Sequence, residues 1–458
     1  MKFSTMVDKN KSEGLSICFI CSPSLGMLDS WLSVIHQLRK IRPDMELTLI
    51  LPQPSTVELI DLDNILTRLA SSLVDKIIFH TFSGLWLKVN TFSEAKSINT
   101  LSPKMSRLLT FARRTSRFSL LKFVSKITYV GFRIFERKKY LARIVELNMF
   151  CSSMKAVLYD IHEEQKEYNK VLLDNLTGVP KFSIVHGICI NLDEIVCRRE
   201  RTNNREIKAY LYSEIEREYY KATFNLLDSD LSVVGIPKHN KKWIAKILAI
   251  GAKQDKLTWD NYVFLISRSM SPYFTYARKQ KALEDMKRLV IDELGLNVIV
   301  KCHPKERNHG IFEKVFGESD YNKTWKYSNH HPFVLGKHCK FAISFFSGVA
   351  IDMIAIRVPT IEYLDLRGLQ GFDDESSLRD AKGNPVSSYR YLGLNLGVSE
   401  YGELKSEVSN ILNNFNTTMA GLTDNYQAIF GDAGESGLFI ANDILQRIIG
   451  PSNEACSY

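Results

Sequence analysis

The sequence predicts an α/β protein of two parallel-sheet blocks, about 1–235 and 260–430, joined by a looser stretch. Short apolar runs of strand length alternate with longer stretches of helical spacing, the pattern of strand–helix–strand units. The alternation breaks once, at 104–143, and slackens once, at 236–260. The composition is that of a folded chain, with 458 residues, 45% apolar and 24% charged. It excludes disordered, collagenous and disulfide-framework proteins.

The elements follow in order. LSICFIC (15–21) is an apolar strand that runs into the loop SPSLG. MLDSWLSVIHQLRKI places Leu28, Trp31, Leu32, Ile35 and Leu38 on one helical face. ELTLILP is the second strand, VELIDLDNILTRLASSL the second helix and DKIIFH the third strand. After the interruption, AVLYD, KFSIVHG, IKAYLYS and LSVVG read as strands. The second block opens with NYVFLIS and the long helix YARKQKALEDMKRLVIDELG. NVIVKCHP, CKFAISFFSG, AIDMIAI and PTIEYLDL follow, and the chain closes with helical stretches at 402–413 and 437–449.

Lys and Arg number 60 against 51 Asp and Glu, a net charge of +9. So small an excess does not describe a nucleic-acid binder unless it is concentrated. It is concentrated at 104–143, which holds 12 Lys or Arg against one acid, Glu136, with Phe and Leu interleaved. Such a basic amphipathic segment can lie on an anionic membrane surface, bind an acidic ligand, or present a solvated face. Eight cysteines without metal or disulfide spacing read as reduced thiols of a cytosolic protein. The polar start MKFSTMVDKNKSEG does not read as a signal peptide. The most apolar window, 341–361, carries Asp352, Arg357 and Pro359 and fails as a membrane span. The expectation is a cytoplasmic protein, soluble or peripheral on the inner membrane face.

The residues that can carry chemistry sit at strand ends. NVIVKCHPKE sets Lys301, His303, Lys305 and Glu306 at and past the end of one strand. KFAISFFSGVAID ends the next at Ser344 and turns through Ser347 and Gly348 into a helix. Hydroxyls and free backbone N–H groups in such a turn suit a phosphate. PTIEYLD brings Glu362 to a third strand end, where a carboxylate can accept from ribose hydroxyls. Each element alone is ordinary, since His–Pro ends many strands and Ser–Gly caps many helices. Their order describes a nucleotide pocket. Arg268, in ISRSMSP, can reach a phosphate or serve as a cap or surface residue. In the first block, His186 of IVHGI can act as general base on an acceptor hydroxyl. Asp160, Asp228 and Asp230 are the rival carboxylates. The loop SPSLGML forms neither GxGxxG nor a P-loop, and no GxSxG elbow or zinc spacing appears. No metal and no resident cofactor are expected.

The segments HPKE, SFFSGVAIDM and VPTIEYLDL, in this order, resemble the nucleotide domains of bacterial GT-B glycosyltransferases. The similar enzymes are the CMP-sugar users of capsule and lipopolysaccharide assembly, Kdo transferases and polysialyltransferases. The CDP-glycerol glycerophosphotransferases of wall teichoic acid synthesis are similar more distantly. The resemblance covers about 110 residues closely. It implies two Rossmann-like domains around a central cleft, with His303 and Ser347 on the donor phosphate, Ser344 a second hydroxyl, and His186 the base. It assigns 1–235 to an acceptor-binding domain with the 104–143 insertion, 236–260 to a linker, and 261–458 to a nucleotide-sugar domain whose last helices cross back. The implied function is transfer of a sugar from a nucleotide-sugar donor, CMP-activated as in CMP-Kdo or CMP-sialic acid, to a surface polysaccharide or lipid-linked glycan. The alternatives are a CDP-glycerol or CDP-ribitol polyol-phosphate transferase, and a non-catalytic scaffold subunit of a polysaccharide assembly complex.

Overall fold

A computed structural model describes residues 14–21, 25–53, 63–81, 86–98, 154–163, 173, 176, 178–185, 187, 207–253, 259–304, 306, 310–432 and 434–450. The basic segment 104–143, His186 and Lys305 lie outside the described residues.

The first sheet contains β1 (Ser16–Ile20), β2 (Glu46–Leu51), β3 (Lys76–His80), β4 (Trp86–Val89), β5 (Ala156–Tyr159), β6 (Lys181–Ile184), β7 (Ile207–Leu211) and β8 (Leu231–Val233). Its order is β4-β3-β2-β1-β5-β6-β7-β8. Every pairing is parallel except β3 with the edge strand β4. β5, β6 and β7 are buried along their whole length, as parallel strands covered on both faces must be. Leu25–Ile41 buries the apolar stripe read from the sequence. Its Trp31 indole donates to the Tyr159 carbonyl at 3.0 Å and so ties the helix to the end of β5.

The second sheet contains β9 (Tyr262–Ile266), β10 (Asn297–Lys301), β11 (Trp325–Tyr327), β12 (Cys339–Ser344), β13 (Thr360–Tyr363) and β14 (Leu396–Val398). All its pairings are parallel, in the order β11-β10-β9-β12-β13-β14. Two apolar clusters sandwich it. One face packs Val263, Leu265, Val300 and Ile343 against Leu283 and Phe312. The other packs Tyr262, Phe264, Ile299 and Ala342 against Leu335 and Met353.

In each sheet the strand order reverses once, between β1 and β5 and between β9 and β12. Open parallel sheets bind ligands beyond the carboxyl ends of the strands at such reversals, where adjacent loops diverge and leave a crevice.

Two helices lie where the sequence reads loosely. Lys241–Gly251 occupies the 236–260 stretch, capped by Asn240, whose side chain accepts from Trp243 N at 3.0 Å. Phe415–Phe430 buries Met419, Leu422, Tyr426 and Phe430 although Asn, Thr and Gly dilute its pattern. The final helix, Ser436–Ile449, lies on the first domain: Tyr210 OH donates to Asp443 at 2.8 Å, and Ser436 Oγ donates to the Val234 carbonyl.

Candidate functional site

Strand register brings most of the sequence-predicted nucleotide residues to one edge. Lys301 of β10 and Ser344 of β12 both pair with Ile266 of β9, and Ser344 pairs in turn with Glu362 of β13. Residues in register on parallel strands point to one face, here the face covered by Pro332–Lys337 and Val349–Ala355. His303 lies two residues past this row, beyond the end of β10, and Ser347 three past it, beyond the end of β12. Those two strands flank β9, so both groups stand at the same carboxyl edge of the sheet.

The turn after β12 is the strained part of the site. Phe346 has φ +60°, in the left-handed region. Bulky residues occupy it only when the surroundings hold them there. Arg268 Nη1 donates to the Phe346 carbonyl, and Ser347 Oγ accepts from Val349 N at 3.4 Å. Ser347, Gly348, His303 and Arg268 are all partly exposed at this edge.

Three residues of the row are turned inward instead. Lys301 Nζ donates to the carbonyls of His330 at 2.7 Å and Asn329 at 3.3 Å, and lies 3.9 Å from Asp63 of the first domain. Burial pulls its pKa below the ordinary lysine value. Ser344 is fully buried, and its hydroxyl has no partner among the described residues. Glu362 is 1% exposed and accepts from Ser387 Oγ at 2.6 Å and Asn395 Nδ2 at 3.1 Å. Burial pushes its carboxyl up to about 7. These contacts make Lys301 a tie between domains and Glu362 an internal anchor for the 386–395 segment.

Of the first-domain candidates, Asp160 reaches the right place. It follows β5 at the reversal point, is fully buried, and accepts from His162 N at 2.8 Å. Asp228 and Asp230 do not join it. They precede β8, whose strand runs parallel to β7, so they lie at the amino edge, a strand length of about 10 Å or more from the cleft. Asp228 is exposed and pairs with Arg217 and Lys221, and Asp230 lines an amino-edge cavity of about 320 Å³ with Lys181, Lys208 and Arg447.

Two features of the structure have no motif in the sequence to mark them. Glu216, 2% exposed, accepts from Tyr212 N at 3.1 Å, and burial pushes its carboxyl up to about 8. The other is a buried charge cluster where the domains meet. Lys238 Nζ donates to Asp29 and Asp352 at 2.9 Å each. His331 Nε2 lies 3.2 Å from Asp29, while its Nδ1 accepts from Phe333 N at 3.1 Å. That acceptance puts the His331 proton on Nε2, which donates to Asp29. His239 bridges Asp352 at 2.7 Å and the Tyr426 hydroxyl at 2.8 Å. Burial alone would raise the carboxyls of Asp29 and Asp352, but the Lys238 charge holds both below the usual range. The cluster fixes the two domains and the helix Phe415–Phe430 relative to one another. No local signal marks it, since Lys238 lies 209 residues from Asp29 and 114 from Asp352.

No protein-family model matches the chain, and no curated protein matches it. Solved structures do. The UDP-GlcNAc 2-epimerase of Neisseria meningitidis bound to UDP-GlcNAc has TM-score 0.57 and 10% identity, covering 94% of this chain and 100% of the other. The Methanocaldococcus jannaschii UDP-GlcNAc 2-epimerase in complex with UDP-GlcNAc and UDP has TM-score 0.52 and 14% identity, covering 94% and 99%. The wall teichoic acid polymerase TagF with CDPG has TM-score 0.51 and 11% identity, covering 96% and 90%. At these identities the likeness speaks for the fold. Two sheets of mainly parallel strands with helices, each reversing its strand order once, give the chain two Rossmann-like domains of the GT-B fold.

Proposed function

We propose that this chain is a glycosyltransferase that takes a sugar from a nucleotide donor, CMP-activated in the reading we favour, and passes it to a surface polysaccharide or lipid-linked glycan. One observation carries the proposal. His303 and the Ser347–Gly348 turn follow β10 and β12, the two strands that flank β9, and so share the carboxyl edge of the second sheet. That these groups hold the donor's phosphoryl tail is supported by their partial exposure and by solved neighbours of the same fold that carry UDP, UDP-GlcNAc or CDPG. Fixed donors aimed at the leaving phosphate stabilise the charge that develops there as the glycosidic bond breaks. On the acceptor side we assign the acceptor proton to Asp160, at the first reversal point, or to His186, two residues past β6 in the sequence.

A second reading, a polyol-phosphate transferase using CDP-glycerol or CDP-ribitol, is favoured by the likeness to TagF with CDPG. The same pocket would hold the nucleotide while a different group moves. Radiolabelled transfer separates the two: sugar label without phosphorus in the product supports the first, and phosphorus in the product supports the second. Absence of turnover together with absence of nucleotide binding would leave only the scaffold role. The basic segment 104–143 would hold the enzyme against anionic lipid, where lipid-linked acceptors reside. Among the described residues no helix is long and apolar enough to cross a membrane.

A further inference from the structure

Arg268 follows β9 at the reversal point, where a phosphate-gripping arginine would be placed, yet its guanidinium is turned into protein. Nη1 donates to the Phe346 carbonyl. The guanidinium carbon lies 5.1 Å from the Tyr273 ring centroid and 5.1 Å from that of Phe346, within cation–π range of both. The Phe346 ring is held further by Tyr273 at 5.6 Å and Tyr389 at 5.2 Å. All of this surrounds one residue in the left-handed region, φ +60°, immediately before Ser347.

We propose that Arg268 is a positioning residue: it clamps Phe346 in its left-handed conformation and so presents the Ser347–Gly348 turn to the donor's phosphoryl group, without itself touching that group. The inference rests on the nucleotide reading of the site given above. Released from the clamp, an aromatic residue returns to the ordinary regions of backbone space, and the following peptide and the Ser347 hydroxyl rotate with it. Lysine cannot substitute, because it carries the charge but lacks the planar fork that donates to a carbonyl while stacking between two rings. Glycine at 346 needs no clamp, since it adopts positive φ freely.

The test is isothermal titration calorimetry of the full chain with CMP, CDP and UDP, and with cytidine and uridine as phosphate-free controls. Arg268→Lys is expected to weaken the best-bound nucleotide by about tenfold or more, with nucleoside affinity unchanged. The double variant Arg268→Lys/Phe346→Gly is expected to recover most of that loss. Arg268→Gln serves if the lysine variant fails to fold, with the same loss expected and the same recovery when it is combined with Phe346→Gly. Arg268→Lys binding nucleotide as tightly as wild type overturns the clamp. A double variant as weak as Arg268→Lys shows direct contact and also overturns it. A wild type that binds no nucleotide, with every variant equally silent, instead overturns the nucleotide reading itself.

Discussion

Replacing Lys238 by Met removes the one cation shared by Asp29 and Asp352 while keeping the aliphatic volume. Both ion pairs are 2.9 Å long and Lys238 is 9% exposed, so the two carboxylates are left buried with His331 and His239 as hydrogen-bond partners and Lys301 at longer range from Asp29. Removing one partner of a buried pair costs about 3–5 kcal/mol. With an unfolding entropy of about 2.1 cal/mol/K per residue, the 458-residue chain unfolding as one unit should melt about 3–5 °C lower. Differential scanning calorimetry at pH 7 measures this. Lys221→Met is the control, because Lys221 pairs at the surface with Glu218 and Asp228, and such pairs contribute about 0–1 kcal/mol. The pH dependence has a definite sign. In the wild type both aspartates have depressed pKa values, so their contribution is present above the unfolded value of about 3.9 and is lost only as pH falls through the folded values. Without Lys238 burial raises them instead, so the deficit of the variant should shrink between pH 7 and pH 5. A variant that melts with the wild type, or a deficit that grows on acidification, would show that the cluster does not hold the domains together.

Glu362→Gln should flatten the pH profile of stability: the native carboxyl, raised to about 7, binds a proton that the unfolded chain releases near 4.3, so wild-type Tm should decline from pH 5 to pH 8. A decline of equal depth in the variant would contradict this. His303→Ala should abolish donor turnover with little change in Tm, whereas undiminished turnover would remove His303 from the site. Asp228→Asn should leave turnover within about twofold of wild type, because the residue is exposed at the far edge of the sheet. A large loss would return it to the mechanism. Neutralising the charges of 104–143 should release the protein from vesicles containing phosphatidylserine in a sedimentation assay, and unchanged pelleting would dismiss the membrane role.

The fold was legible because both sheets are written in local code. Runs such as YVFLI and AVLY are long enough for a strand and too short for a helix, and the helices between them keep their apolar stripe. The edge strand β4 escaped because WLKV is short and its one polar residue, Lys88, is exposed. The helix Lys241–Gly251 escaped because lysines at its start hide the buried Trp243, Ile244 and Ile247. At the candidate site the strand-end positions of His303, Ser347 and Arg268 followed from sequence. What each side chain does there did not. Glu362 reads as a strand-end carboxylate for ribose hydroxyls until the 386–395 segment, contiguous with it only in space, supplies Ser387 and Asn395. A left-handed phenylalanine contradicts local preference, so nothing in SFFSG announces Phe346. Asp228 and Asp230 look like site residues in DSD because a sequence does not say which end of a short strand faces the cleft.

The most direct test of the account is a crystal structure of the chain soaked with the nucleotide that binds best. We predict the phosphoryl oxygens in hydrogen-bond contact with the His303 imidazole and the Ser347 hydroxyl, beyond the ends of β10 and β12. A nucleotide seated elsewhere, with both of these groups unengaged, would contradict it.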